Sequence, residues 1–299
     1  MRVRTALALA IVAGAASSAM ARPTISSFSL NDGGFRYNER NLIGAGAAGA
    51  IGGDMDFGLA VGASPSTTVA SDYGFRNWWY YRIGATGAER ALQTQTDSLA
   101  PGGLNPNQAT LEYTEAIPGV TSGALKFLLQ YTLTQVTANS AAVTINWQIQ
   151  NTSQQAVNMS FFSYTNYDVG SFSDDAGKYT STVSANEVRT DASSTDSANF
   201  ATVGADILLN NRWQVAGNFF GLPDVDLGMI DASTTNFPDS VSPTTGDIRS
   251  GFQWDLAIAA GGQTAGRVTK GYNYSFIPAP GASALMGIGG ILVQHRRRR

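Results

Sequence analysis

Cysteine is absent from the 299 residues, and histidine occurs once, at His295 near the C-terminus. The first absence excludes disulfide staples, thiolate metal sites and cysteine nucleophiles. The second leaves the chain before residue 295 without an imidazole, which excludes Ser-His-Asp catalysis, histidine-ligated zinc and a histidine general base there. Charge is sparse as well, at 14% of residues. Outside Arg2, Arg4 and Arg296–Arg299 the chain carries 13 basic and 22 acidic residues, a formal charge of −9. An acidic surface with few lysines argues against nucleic acid or anionic lipid as a partner and suits a solubilised extracellular domain.

Long amphipathic helices are missing too: no stretch sustains an i, i+3, i+4, i+7 apolar pattern. Short β-rich runs punctuated by Gly, Asn and Pro take their place and predict an all-β domain over residues 22–276. The clearest run is Ala142 to Gln150, with Val143, Ile145, Trp147 and Ile149 on one face and Thr144, Asn146 and Gln148 on the other. Ala124 to Thr137 alternates in the same way, and Phe75 to Ile83 (FRNWWYYRI) is the most aromatic run. Further strands are expected at Thr24–Leu30, Thr110–Thr114, Val157–Val169, Lys178–Ser184, Glu187–Thr190, Ala205–Leu209 and Arg212–Ala216. Three hairpins are expected: Phe75–Ile83 with Glu89–Thr96, the strands on either side of Asn151–Gln155, and Gly251–Ala259 with Gly266–Phe276 around Gly261-Gly262. Residues 99–108 form a loop and a candidate subdomain joint, and Leu222–Thr245 reads as a long loop. By fold-level analogy the arrangement is an antiparallel β-sandwich, jelly-roll-like or supersandwich, between an N-terminal signal helix and a short C-terminal hydrophobic helix.

The two ends carry the sharpest signals. Residues 1–21 have a basic start (Arg2, Arg4), an apolar run from Ala6 to Ala16 and the small-residue site Ala19-Met20-Ala21, the pattern of a cleavable secretory signal peptide. Residues 277–299 run from Pro278-Ala279-Pro280 through the apolar segment Gly281–Val293 to the cluster Arg296, Arg297, Arg298 and Arg299. That apolar segment has 13 residues, where a helix needs about 20 to cross the hydrocarbon core. It suits a temporary membrane anchor, with the arginines held at the cytoplasmic leaflet. This order of features resembles the PEP-CTERM sorting signal of bacterial surface proteins, with Ala279 where the name-giving glutamate stands. The resemblance covers the last 23 residues. It implies signal peptidase and an exosortase-like transpeptidase as partners, a cut near Pro278–Pro280, and delivery to the cell envelope, outer surface or extracellular matrix.

Within the domain, candidate sites are fewer. Asp168, Asp174 and Asp175 fall in a Gly/Ser-rich decapeptide that could offer oxygen ligands to calcium, although the spacing matches no EF-hand and turn chemistry accounts for such loops. Asp224, Asp226 and Asp231 form a weaker cluster. Glu112 and Glu115 lie three apart, on opposite faces of a strand, and are poorly placed as a glycosidase pair. Trp78 and Trp79 offer rings for sugar stacking, against a simpler role in core packing. No catalytic residue and no cofactor other than calcium is expected. These features predict a non-catalytic structural or adhesive surface protein. The alternative is a carbohydrate-binding or carbohydrate-processing sandwich acting on extracellular polysaccharide, including a carboxylate-dependent glycoside-active enzyme.

Export and sorting make a direct mass prediction. The exported protein should begin at Arg22 and lack Arg296–Arg299; recovery of Arg299 on the exported form by intact-mass analysis refutes the sorting assignment.

Overall fold

A computed structural model describes residues 24–42, 54–59, 74–167, 175–180, 187–194, 199–206, 211–218, 234, 236–242 and 247–274. It is all-β, with 17 strands in two sheets. These are β1 (Ser27–Asp32), β2 (Phe35–Arg40), β3 (Asp54–Leu59), β4 (Gly74–Ile83), β5 (Arg90–Ala91), β6 (Gln95–Leu99), β7 (Gln108–Ala116), β8 (Ala124–Thr137) and β9 (Ser140–Asn151). There follow β10 (Val157–Tyr167), β11 (Asp175–Thr180), β12 (Glu187–Ser194), β13 (Asn199–Asp206), β14 (Asn211–Asn218), β15 (Ser240–Ser242), β16 (Asp247–Ile258) and β17 (Gln263–Tyr274). Among the described residues no helix is long and apolar enough to cross a membrane. The expected signal helix and C-terminal helix lie outside the described residues.

The nine-stranded sheet runs β1-β2-β3-β4-β10-β16-β14-β15, with β5 beside β4; the eight-stranded sheet runs β11-β12-β13-β17-β9-β8-β7-β6. Pairing is antiparallel throughout except for the parallel contact of β14 with β15. The strongest alternation produced the most regular strands. Along β9 Ala141, Val143, Ile145, Trp147 and Ile149 are buried while Thr144, Asn146 and Gln148 are not. Along β8 Leu125, Phe127, Leu129, Tyr131 and Leu133 are buried in the same way, while Lys126, Gln130 and Thr134 are exposed.

Two of the three expected hairpins are instead crossings between sheets. The strands around Asn151–Gln155 do not pair: β9 lies in the eight-stranded sheet and β10 in the nine-stranded one. Asn151 holds this arch by donating its Nδ2 hydrogens to the carbonyls of Gln155 (2.7 Å) and Ala259 (3.0 Å). Gly261 (φ 66°) turns the parallel arch from β16 to β17. The Glu89–Thr96 return is likewise divided, since β5 pairs with β4 for only two residues before β6 joins the other sheet against β7. Alternation reports which face of a strand is buried; a hairpin and an arch over one core give the same pattern, so sequence could not separate them. Residues 99–108 connect the paired strands β6 and β7.

The buried apolar residues form one continuous cluster, most of it between the sheets. At its centre Trp79 stacks on Phe161 (centroids 5.1 Å), and Trp254 and Trp147 close around them, 5.2 Å apart edge to face. Each such ring contributes about 1.5–3 kcal/mol by burial and a further 0.5–1.5 kcal/mol or so from ring geometry. Gly266, opposite Trp147 in the β9–β17 register, leaves the space that indole occupies: a Cβ there would come within 2.3 Å of its ring. Gly266→Ala should therefore lower stability by about 1–3 kcal/mol through overpacking, read from the urea midpoint. An unchanged midpoint contradicts this packing.

Candidate functional site

On the three central strands of the nine-stranded sheet, residues alternate between the core and the opposite face. Tyr81, Phe161 and Trp254 point inward; their neighbours Arg82, Ser160 and Asp255 point away from it. Register then aligns these three, because Ser160 lies opposite both Arg82 and Asp255. They floor an open cleft of about 370 Å³, lined also by Asn158 and Asn236.

The polar groups form a connected set. Arg82 donates to Glu89 Oε1 at 2.8 Å, to Ser160 Oγ at 3.3 Å and to Asn236 Oδ1, and its guanidinium sits 5.5 Å above the Phe162 ring. Asp255 Oδ1 accepts from Ser160 Oγ (2.6 Å) and Gln253 Nε2 (2.8 Å); its Oδ2 accepts from Arg212 Nε at 3.4 Å. Gln253 Nε2 reaches Asn236 Oδ1 at 2.8 Å, and its Oε1 accepts the backbone N–H of Phe237 at 2.9 Å. Phe237 fits over Gly251, where a Cβ would meet its ring at 2.4 Å, so this glycine lets the 236–239 segment lie flat on the sheet and wall the cleft. The Arg82–Glu89 pair is deeply buried, with 3% and 0% of the side chains exposed, whereas the Asp255 side chain is 40% exposed and faces the opening. The result is a rigid cation and a solvent-facing carboxylate, flanked by amides and a hydroxyl, with both donors and acceptors within one small-molecule span.

A second polar group lies between the sheets. Glu39 accepts from Tyr37 (2.5 Å), Asn77 (3.1 Å) and Tyr131 (3.3 Å), and Lys270 donates to Thr165 (2.8 Å) and Asn77. Burial raises Glu39 to about 7, against the opposing effect of its hydrogen bonds and of Lys270. Burial also lowers Lys270 to about 7, against the attraction of Glu39.

The residues singled out from sequence lie elsewhere. Trp78 and Trp79 are 1% and 0% exposed, and Trp79 Nε1 donates to Tyr131 across the core, so neither ring presents a face to solvent. Glu112 and Glu115 do point to opposite sides: Glu112 pairs with Lys126 at the surface, and Glu115 turns inward to accept from Gln93 N, Thr94 N and Tyr81. Asp168 and Asp174, like Asp224, Asp226 and Asp231, lie outside the described residues; Asp175 opens β11. Among the described residues no group of three or more acidic or imidazole side chains could hold a metal ion. The sorting residues Ala19, Ala21, Pro278–Pro280 and Arg296–Arg299 also lie outside. Sequence reasoning missed the cleft because its members come from positions 82, 158, 160, 236 and 255, and only register brings them together. The single available signal was a charged residue, Arg82 or Asp255, set inside a run of aromatics.

No family model and no curated protein sequence matches the chain. Among solved structures, a putative aldose 1-epimerase from Escherichia coli K12 is similar over 83% of this chain and 99% of its own, at 8% identity and TM-score 0.42. The Slr1438 protein of Synechocystis sp. PCC 6803 is similar over 87% and 100%, at 8% identity and TM-score 0.43. A putative kojibiose phosphorylase from the human microbiome is similar over 82% of this chain, at 11% identity and TM-score 0.41; this chain spans 29% of its length. With two of these bearing enzyme names, the expectation of a chain without catalytic activity is corrected and set aside. The likeness itself assigns no reaction to this chain.

The buried pair yields a stability contrast. Glu89→Gln strands the Arg82 cation and should cost about 3–5 kcal/mol, whereas Lys126→Ala, removing a half-exposed partner of Glu112, should cost under about 1 kcal/mol. Equal losses in chemical denaturation would contradict the burial difference.

Proposed function

We propose that the chain is an exported two-sheet sandwich, of jelly-roll-like or supersandwich type, that binds or processes carbohydrate at the Arg82–Ser160–Asp255 cleft. The observation that carries the reading is the cleft itself. It is large enough for about one or two sugar rings. Its groups suit a polyhydroxylated ligand, because a hydroxyl both donates and accepts: Asp255 accepts, Arg82 donates, and Asn236 and Ser160 do either. The Asp255 side chain keeps enough exposure to meet such a ligand without leaving its own partners. An acidic surface selects against polyanions at long range, which favours neutral extracellular polysaccharide.

Export and retention complete the proposal. Arg2, Arg4, Ala19 and Ala21 would direct passage through signal peptidase. Pro278–Pro280, the short apolar segment and Arg296–Arg299 would hold the chain transiently in the membrane for an exosortase-like transpeptidase, leaving the domain at the outer surface or in the matrix.

Asp255→Ala tests the cleft with least damage to the fold, since the residue is exposed. On a glycan array with the folded protein, neutral-glycan binding should fall by about 10-fold or more, the loss of a charged hydrogen bond of about 1.5–3 kcal/mol. Absence of binding and of turnover by the wild type across neutral polysaccharides and their oligosaccharides overturns the assignment.

A further inference from the structure

The polar group between the sheets has a composition that ordinary core packing does not explain. The chain contains three lysines, and one of them, Lys270, is 2% exposed at the centre of the molecule. It sits in β17, the middle of the eight-stranded sheet. Across the interior, Asn77 in β4 and Thr165 in β10 lie directly opposite one another in the nine-stranded sheet, and both meet the lysine Nζ. Asn77 is 0% exposed, and its other amide atom, Nδ2, donates to Glu39 Oε2 at 3.1 Å and Tyr37 Oη at 3.2 Å. Glu39, also 0% exposed, comes in from β2 and is held by Tyr37 and Tyr131. A primary amine, a carboxamide and a carboxyl group therefore share one dry pocket, each immobilised by its own hydrogen bonds.

We propose that Lys270 and Asn77 form an intramolecular isopeptide bond, with Glu39 as the proton relay, so that the two sheets are covalently stapled to each other. Nζ of Lys270 attacks Cγ of Asn77 and a new C–N bond forms. Glu39 takes one proton from the attacking nitrogen and delivers it to Nδ2. The Cγ–Nδ2 bond then breaks and ammonia leaves, carrying the two original amide hydrogens and the relayed proton. Amine and carboxamide go to secondary amide and ammonia; nothing is oxidised or reduced, and no water or co-reactant enters.

The surroundings supply what this exchange requires. Attack needs a free amine lone pair, and burial disfavours the ammonium form, bringing Lys270 down to about 7. A relay must both accept and release a proton, and burial brings Glu39 up to the same range. Thr165 holds Nζ against the amide, giving the intramolecular proximity that replaces a bimolecular encounter. The aromatic shell excludes water as a competing nucleophile: Tyr37 packs edge to face on Phe57 (5.6 Å), Tyr131 on Phe28 (5.0 Å), and Trp79 closes the adjacent side by its bond to Tyr131. Once formed, the amide replaces a buried amine by a neutral group, which removes the desolvation cost of Lys270. It closes a loop between positions 193 apart in a chain with no disulfide to do so.

Peptide mapping of the folded full-length chain decides the matter. Trypsin should release Asn77–Arg82 joined to the segment that begins at Val268, uncut after Lys270, at a mass lower than the sum of the two by about 17 Da for the lost ammonia. Glu39→Gln, close to isosteric, should give the two segments unlinked, with cleavage after Lys270, and a Tm lower by on the order of 10 °C, as for a disulfide spanning a long loop. Separate peptides from the folded wild type, with Lys270 cut normally, overturn the proposal and leave the cluster as a non-covalent polar contact. If Glu39→Gln does not fold, the wild-type map still decides. If it folds and remains linked, the relay assigned to Glu39 is overturned.

Discussion

Exclusion of water from the space between the two sheets is the constraint on which the rest of this structure depends. The chain has no disulfide, so what their facing side chains bury does most to hold the sheets together. Four indole and phenyl rings interlock at the centre, Trp79, Phe161 and Trp254 from the nine-stranded sheet and Trp147 from the eight-stranded one, packed at stacked and edge-to-face angles. In so dry a place every polar atom needs a partner. Glu39, Asn77 and Lys270 meet that requirement by converging on one another, and Tyr37, Tyr131 and Thr165 each spend a hydroxyl on the same group.

The same alternation that fills this interior builds the cleft on the other side. Along β10, Phe161 enters the core while Ser160 and Phe162 face outward; along β16, Trp254 enters while Gln253 and Asp255 do not. The central strands of the larger sheet are therefore buried on both faces, which is why their sequences are aromatic in consecutive positions instead of alternate ones. The Arg82–Glu89 pair survives burial because Ser160, Asn236 and the Phe162 ring engage the guanidinium. It thereby becomes a rigid floor, while the Asp255 side chain stays 40% exposed at the opening. Rigidity beneath and exposure above is the arrangement on which the proposed carbohydrate site rests.

Some of this was legible in the residues. Strands β8 and β9 were evident in position and facing from period-2 alternation alone, and Glu112 and Glu115 fall on opposite faces as their spacing requires. Trp78 and Trp79 could be read either as core or as a sugar platform, because a solvated ring and a buried ring look the same in a list of letters; both are inside. The arches at Asn151–Gln155 and Gly261-Gly262 carry the sequence pattern of hairpins, since a turn flanked by two half-buried strands carries no mark of which sheet the second strand joins.

Sequence by itself determined the all-β class, the acidic and imidazole-free character of the domain, and the face each regular strand turns inward. These follow from composition and from a period of two residues, both local properties of the chain. Only the tertiary structure decided which strands are neighbours, and with that the cleft of Arg82, Ser160, Asn236 and Asp255 and the meeting of Glu39, Asn77 and Lys270. Asn77 and Lys270 alone lie 193 positions apart. No local propensity links them; strand register and the packing of two sheets on one core bring them together, and burial favours polar groups that satisfy one another.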